Sequence, residues 1–373
     1  MTNEQLMMLA MKEAEKGRLH TYTNPMVGAV IVKGGEIIGR GYHSHFGGDH
    51  AEIDAMKNVA NRDQLAAAKM YVTLEPCSHT GKTPPCCEHI VASGITEVHI
   101  AQLDPNPLVG GRGKKFLEAN GVKVSVGTMA SEAVALNRMY NFYHRKKRPY
   151  VTLKYAMTLD GKINRTPGER SIITGEKSMM DVQQLRSRYQ AILIGAETAL
   201  VDDPQLTVRT VTLPYPPIRI VIDRRGRLTN NLKLFQQGEA PTWIFTEIPQ
   251  YPAHDAQTTH VKVFTNKRWT VEHVIEVLAE NGVQSVLVEG GAQMHHAFLE
   301  AQLVDQVTVY IAPKLFGGNS LSAVQGKVFG QREVDFQNLE VTTLGKDLKI
   351  TVYGREEFTC LQESYKTLGV SGK

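Results

Sequence analysis

The chain has 373 residues, which sets an expectation of two domains. Hydrophobic residues make up 42%, charged residues 21% and aromatics 7%, values that exclude wholesale disorder, collagen and coiled coil. Lys+Arg 42 against Asp+Glu 38 leaves a net charge of +4, too mild to imply a nucleic-acid or anionic-membrane partner. Four cysteines make no disulfide scaffold at this length, and Cys86 and Cys87 are adjacent, so a reduced, cytoplasmic protein with metal or catalytic thiols is expected. Met1 to Lys16 does not read as a signal peptide, because its apolar stretch is only Leu6 to Met11 and Glu4, Glu13 and Glu15 surround it. No apolar run is long enough for a transmembrane helix.

In chain order, Val27 to Val32 reads as a buried strand, with Glu36 to Gly41 as its hairpin partner across Gly34-Gly35. Asp49 suits a helix N-cap, with the helix running from His50 to about Asn61. Lys69 to Leu74, Val98 to Ala101 and Val122 to Val126 are expected strands. Pro84 to Ala92, Lys114 to Asn120 and Ser131 to about Tyr143 are expected helices. His144 to Pro149 clusters cations before a proline, which suits a solvated domain joint better than an RNA-binding patch. Beyond it, strands are expected at Tyr150 to Tyr155, Ala191 to Gly195, Arg219 to Asp223, Thr242 to Phe245, Ser285 to Glu289 and Gln306 to Ile311. Helices are expected at Glu176 to Arg188, Thr270 to Asn281 and Ala292 to Ala301, and an antiparallel pair at Leu339 to Leu344 and Leu348 to Tyr353. The alternation predicts an α/β fold, with domains at 1–147 and 148–360 and a tail at 361–373.

Chemistry concentrates first at His50-Ala51-Glu52, Pro76-Cys77 and Cys86-Cys87. One His and two Cys are three zinc ligands, which leaves a fourth position for water; structural sites are closed by four. Metal-acidified water needs a proton shuttle, and Glu52 is two residues from a ligand. His50 and Cys77 are each expected to open a helix, where positive partial charge favours the thiolate. The residues alone leave the third ligand open between Cys86 and Cys87. Asn24, before Pro25, is either a substrate contact or a turn residue, and His43, His45 and His79 either face the pocket or are ordinary loop histidines.

The pattern resembles the zinc cytidine-deaminase superfamily signature of H-x-E followed by P-C-x-x-C, with a wider interval before the second cysteine. Its longer form resembles the deaminase half of the bifunctional riboflavin-biosynthesis deaminase/reductase family. The matching stretches are Asn24 to Ala29, His50-Ala51-Glu52, Glu75 to Cys86 with Thr83-Pro84-Pro85-Cys86, Asp104-Pro105-Asn106-Pro107 and Gly110 to Gly113. The resemblance implies that Cys77 and Cys86 join His50 as ligands, and that the Asn24 loop contacts substrate.

The second half holds no G-x-G-x-x-G and no Walker loop, so motifs alone leave its chemistry open. Glu289-Gly290-Gly291-Ala292 either lets backbone approach a phosphate at a helix start or is a tight strand–helix turn. Lys154 to Ile163, Ile173-Thr174-Gly175, Asp202 to Arg209 and Val288 to Gly291 resemble the reductase half of the same family. The resemblance implies a cytidine-deaminase-like zinc domain followed by a dihydrofolate-reductase-like domain that binds NADPH. By position, it places substrate at Lys154, Arg170, Arg186, Leu206, Arg209 and Glu289. It places cofactor at Ala156, Ile172, Thr198, Asp202, Gly290 and Gly291. The family often has Ser at position 170 and Trp at position 172. Arg224 and Arg225, at a strand end, are expected beside the NADPH 2′-phosphate.

These readings imply a cytoplasmic enzyme of riboflavin synthesis, homo-oligomeric, acting on a small pyrimidine ribosyl phosphate with neither nucleic acid nor membrane. One zinc ion and NADPH are its expected cofactors. Two other readings stay open on sequence: a nucleic-acid base deaminase, against which the low aromatic content and mild charge argue, and a catalytically inert zinc scaffold, which has no use for Glu52.

Overall fold

The computed structural model describes the whole chain except residues 79–84, 108, 167, 237, 239, 252–259, 328, 330–332 and 355–373. His79, Thr83-Pro84 and the expected tail therefore lie outside the described residues. The chain divides into two compact units at the Lys147/Arg148 junction. Among the described residues no helix is long and apolar enough to cross a membrane.

The first unit contains α1 (Asn3–Glu15), β1 (Gly28–Lys33), β2 (Glu36–Tyr42), α2 (Ala51–Lys57), β3 (Lys69–Val72), α3 (Cys86–Ala92), β4 (Glu97–Ile100), α4 (Arg112–Ala119), β5 (Lys123–Val126), α5 (Ala130–Leu136) and α6 (Arg138–Lys146). Its five strands run in the order β2-β1-β3-β4-β5, antiparallel among the first three and parallel from β3 onward. Side chains alternate along a strand, so β1 serves both faces of the sheet. Ala29 and Ile31 pack with Ala51, Ala55, Ile90 and Leu117 of α2, α3 and α4. Val30 and Val32 pack with Leu6, Met7 and Ala10 of α1. Double coverage explains why β1 reads as an unbroken apolar run. A capping box starts α1: Thr2 Oγ1 accepts from the Gln5 amide and Gln5 Oε1 accepts from the Thr2 amide.

Three expectations in this unit need correction. Asp49 does not cap α2; His50 is the N-cap, and Asp49 pairs with Lys57 instead. Cys77 itself lies in irregular chain, and among the described residues it is Cys86 that opens a helix. The helix expected from Ser131 to Tyr143 is two helices broken at Asn137. There the side chain takes over a backbone role: Asn137 Oδ1 accepts from Met26 N and Nδ2 donates to Met26 O, each at 2.8 Å.

The second unit contains β6 (Tyr150–Thr158), β7 (Lys162–Asn164), α7 (Glu176–Arg186), β8 (Ala191–Gly195), α8 (Ala196–Asp202), β9 (Ile218–Ile222), α9 (Lys233–Gln236), β10 (Thr242–Thr246) and β11 (Val261–Thr265). It continues with α10 (Val271–Glu280), β12 (Ser285–Val288), α11 (Ala292–Glu300), β13 (Gln306–Ala312), β14 (Leu321–Ser322), β15 (Phe336–Leu344) and β16 (Asp347–Gly354). Among the described residues nine strands form one sheet, ordered β11-β10-β9-β8-β12-β6-β13-β16-β15. The pairings from β11 to β13 are parallel, and those of β16 with β13 and β15 are antiparallel. On β8, Ala191 and Leu193 face one apolar core and Ile192 and Ile194 the other. A separate two-stranded sheet joins β7 to β14.

Helix α8 and strand β11 were not anticipated. Helix α8 follows β8 with no residue between them, and Gly195 is both the last residue of the strand and the N-cap of the helix, so no loop separates the two periods. Strand β11 is an edge strand only half-buried, and Lys262 interrupts an apolar run of the kind that marks β8.

Candidate functional site

His50 lies at the entry to α2 with extended backbone (φ −72°, ψ 156°), so its ring leaves the helix while Glu52 occupies the first turn. Cys77 stands beyond the end of β3, and Cys86 is the first residue of α3. His50 Nδ1 is 3.2 Å from Cys86 Sγ and 3.5 Å from Cys77 Sγ, and the three donor atoms lie within 4.8 Å of one another. Tetrahedral zinc with Zn–S near 2.3 Å and Zn–N near 2.0 Å needs N···S edges of about 3.6 Å, so this donor set fits zinc.

Protons are shared among the three groups. A hydrogen bond from Cys86 is the main cause holding the Cys77 thiol down at about 4, and it pushes the Cys86 thiol upward in turn. The bond to Cys77 lifts His50 to about 9. A metal ion displaces such protons on binding. The Cys86 amide also donates to Cys77 Sγ at 3.3 Å. Glu52 is 3% exposed; burial pushes its carboxyl up, and His50 beside it pulls the other way.

Cys87 is placed differently. Its thiol is buried 3.4 Å from Pro76 O and 3.6 Å from Gly113 O. Cys86→Ser is therefore expected to lose zinc and deamination, and Cys87→Ser to keep both. Zinc analysis of the two purified variants checks this, and a Cys87→Ser protein lacking zinc would reverse the ligand choice.

Asn24 Nδ2 lies 3.0 Å from His43 Nε2, and His43 Nδ1 lies 2.9 Å from the Asp49 carbonyl. The His43 ring meets that of His50 edge-on, with centroids 5.8 Å apart. Burial lowers the His43 pKa, against the raising effect of its bond to the Asp49 carbonyl. Of the loop histidines weighed from sequence, His43 thus sits beside His50, while exposed His45 bonds Ser44.

In the second unit Lys154, Arg186 and Glu289 converge. Arg186 Nε and Nη2 grip the two Glu289 carboxylate oxygens at 2.7 and 2.8 Å, and Lys154 Nζ is 3.5 Å from Oε2. All three are largely buried. Burial works against the ionised carboxyl, yet Arg186 and Lys154 hold Glu289 down to about 2. Burial lowers the Lys154 pKa, while Glu289 opposes that shift. Arg186 is thus engaged by Glu289, whereas Arg209 is exposed, with Nη1 3.5 Å from Gln205 Oε1.

The other expected residues lie on several different elements. Ala156 lies on β6 opposite Tyr310. Thr198 Oγ1 accepts from the Gly291 amide at 3.2 Å, which joins α8 to the start of α11. A Cβ on Gly290 would come within 2.8 Å of Gly195 N, so the first glycine of the pair is required for packing against β8. Gly291 caps α11 with no side-chain bond, and no acidic residue stands in that helix's first turn, which suits an anionic cofactor. Asp202 ends α8; burial raises its carboxyl pKa and Arg170 pulls it back. Ile172 is 69% exposed. Leu206 has φ +51° and its side chain is buried in the core, which leaves only its backbone for a ligand. Arg224 Nε lies 3.8 Å from Glu247 Oε1, while Asp223 turns inward to Leu228 N and Tyr251 Oη.

Sequence reasoning assigned no role to Glu75, His295 or Tyr310. Glu75 is buried and accepts three backbone amides. His295 is held near pKa 4 by burial and bonds Ala323 O. Tyr310 lies between Lys154 and Lys349, with its hydroxyl on Asp181. The Glu75-Pro76-Cys77 tripeptide was the only available signal for any of them.

Comparison with known proteins gives consistent results. Residues 1–102 match the family model "Cytidine and deoxycytidylate deaminase zinc-binding region", and residues 149–350 match "RibD C-terminal domain". The riboflavin biosynthesis protein RibD of Bacillus amyloliquefaciens is 41% identical over 360 residues, 95% of this chain and 96% of that protein. Its Escherichia coli (strain K12) counterpart is 39% identical over 95% of this chain and 100% of that protein. Acinetobacter baumannii RibD superposes with a TM-score of 0.86 at 32% identity, covering 94% of this chain and 98% of that one. A diaminohydroxyphosphoribosylaminopyrimidine deaminase/5-amino-6-(5-phosphoribosylamino)uracil reductase of Thermotoga maritima gives 0.84 at 36%, with the same coverage. A zinc-binding deaminase half and a reductase half, matched along nearly the full length, place the chain in the RibD family of bifunctional riboflavin-biosynthesis deaminase/reductases.

Proposed function

We propose that residues 1–147 perform the deamination and residues 148–360 the reduction, with 361–373 a tail outside both. The enzyme is bifunctional. It hydrolyses the 2-amino group from 2,5-diamino-6-ribosylamino-4(3H)-pyrimidinone 5′-phosphate. It then reduces the ribosyl side chain, giving 5-amino-6-ribitylaminouracil 5′-phosphate. The observation that carries the reading is the convergence of His50, Cys77 and Cys86 beside buried Glu52.

In the deaminase half, His50, Cys77 and Cys86 hold zinc. When bound, zinc supplies a Lewis acid that eases deprotonation of water. A Glu52 carboxylate oxygen takes the water proton and passes it to the departing amine, so water enters and ammonia leaves. Asn24, held by His43, orients the ring. In the reductase half, bound NADPH would supply hydride for reduction at ribosyl C1′. Lys154 Nζ, held by the Glu289 carboxylate that Arg186 fixes, hydrogen-bonds the ribosyl oxygen as the glycosylamine opens. Arg170, Arg209 and the Leu206 backbone hold the phosphate end. Ala156, Ile172, Thr198, Asp202, Gly290 and Gly291 line the cofactor.

The direct test is mass spectrometry of products from the diaminopyrimidine phosphate. Loss of the amine without NADPH, and two further hydrogens only with it, is expected; no product in either case would overturn the assignment. Arg224 and Arg225 are proposed at the NADPH 2′-phosphate, and inward-turned Asp223 does not oppose them. Charge-assisted bonds of about 1.5–3 kcal/mol make Arg224→Ala/Arg225→Ala lower NADPH use by roughly ten- to a hundredfold and spare NADH. An unchanged NADPH-to-NADH ratio in steady-state assays removes both from the site.

The chain is further proposed to be cytoplasmic and homo-oligomeric, acting on its small molecule without nucleic acid or membrane. Free Cys77, Cys86 and Cys87 support the compartment, and mild net charge supports the absent partners. Leu339 and Val341, 66% and 55% exposed on edge strand β15, support self-association. Light scattering at the 41.4 kDa of a single chain would contradict the oligomer. Fragments 1–147 and 148–373 that are soluble only as a mixture would contradict the division of labour.

A further inference from the structure

The turn that carries Cys77 is held from behind by a residue that touches no metal ligand atom. Glu75 is 4% exposed. Its Oε2 accepts the amides of Asp104 at 3.1 Å and Gly111 at 2.8 Å, and its Oε1 accepts that of Lys114 at 3.0 Å. Its own amide donates to Gln102 O at 3.0 Å. The carboxylate thus fastens the segment after β4 and the first turn of α4 to the end of β3.

Contact on the other side is equally close. A Cβ on Gly113 would fall 2.1 Å from Pro76 O and 3.2 Å from Glu75 Cγ, so the α4 backbone lies directly on the Pro76-Cys77 peptide and the Glu75 side chain. The Cys87 thiol fills the remaining space against Pro76 O and Gly113 O. Proline fixes φ between Glu75 and Cys77, so a displacement at Glu75 is passed along a stiff link. Zinc sites tolerate ligand errors of only about 0.2 Å.

We infer that Glu75 is a positioning residue for the metal centre, setting the place of Cys77 through its three amide bonds and the α4 turn behind Pro76. The inference rests on the zinc reading of His50, Cys77 and Cys86. A carboxylate only accepts, and it suits three converging N–H donors. In Glu75→Gln, either orientation of the amide sets an NH2 against at least one of those donors.

The test is zinc affinity of the full chain by competition with a chromophoric chelator, alongside melting of the zinc-free and zinc-loaded forms. Glu75→Gln is expected to raise the zinc dissociation constant about ten- to a hundredfold, the usual scale for groups that orient metal ligands. The zinc-dependent rise in Tm should shrink with it. A merely structural role lowers both melting temperatures together and leaves the affinity alone. Zinc binding by Glu75→Gln within twofold of the parent, whatever its Tm, overturns the inference. Should that variant fail to fold, Gly113→Ala, which presses on Pro76 O, decides by the same threshold. A parent chain that binds no zinc overturns the zinc reading and this inference with it; equal binding by parent and variant overturns this inference alone.

Discussion

Glu52→Gln is expected to keep one zinc per chain and to release ammonia at about a hundredth of the normal rate or less. The substitution keeps the shape of a side chain that is almost wholly buried in the first turn of α2. It leaves His50, Cys77 and Cys86 untouched. What it removes is a group that can take a proton and return it. Reduction of the deaminated intermediate should continue at its normal rate, which separates a local defect from misfolding. Zinc analysis with ammonia release on the same preparation decides the matter. Near-normal turnover in a zinc-loaded variant would take the proton transfer away from Glu52.

Glu289→Gln should strike the other activity. The side chain binds Arg186 through both oxygens and faces Lys154, so neutralising it leaves two largely buried cations without their counter-charge. Breaking such a pair costs about 3–5 kcal/mol, or roughly 6–20 °C in the melting temperature of a unit this size. Reduction should fall about a hundredfold as Lys154 loses its place, while deamination persists. The same triad predicts a pH dependence. The folded-state pKa of Glu289 lies near 2, below its ordinary 4.5. Its stabilisation is therefore present above pH 4.5 and is lost as pH falls through that window toward 2. Acid titration of Tm in parent and variant checks the sign: the parent should lose stability over that range more steeply than Glu289→Gln. Equal slopes and unchanged reduction would remove the triad from both roles.

Much of this molecule could be read locally. The run from Gly28 to Val32 is apolar because both faces of β1 are covered, and Ala191 to Gly195 reads as a strand for the same reason. The His50-Ala51-Glu52 spacing puts an imidazole at a helix entry and a carboxyl in its first turn, because two residues of helix advance only about 3 Å. The glycines at 34 and 35 mark the hairpin because both adopt positive φ, at +60° and +86°. Each of these depends on neighbours in sequence and on side-chain type.

The remainder depended on residues far apart in the chain. Lys154, Arg186 and Glu289 share no local pattern, and they meet because β12 is inserted between β8 and β6, a strand order that no local pattern specifies. The break at Asn137 exists because its amide pairs with Met26, 111 residues away, and Ser131 to Tyr143 otherwise carries a continuous helical pattern. Asp49 is a good N-cap by type, but Lys57 draws it away. Glu75 is an acid beside a proline until Asp104, Gly111 and Lys114 turn their amides toward it. Hydrophobic period and short motifs record what a residue needs from its neighbours along the chain, and so they disclose strands, helices and adjacent ligands. Buried charges and side-chain amides take partners from wherever the sheet order delivers them, and only the folded packing makes that choice.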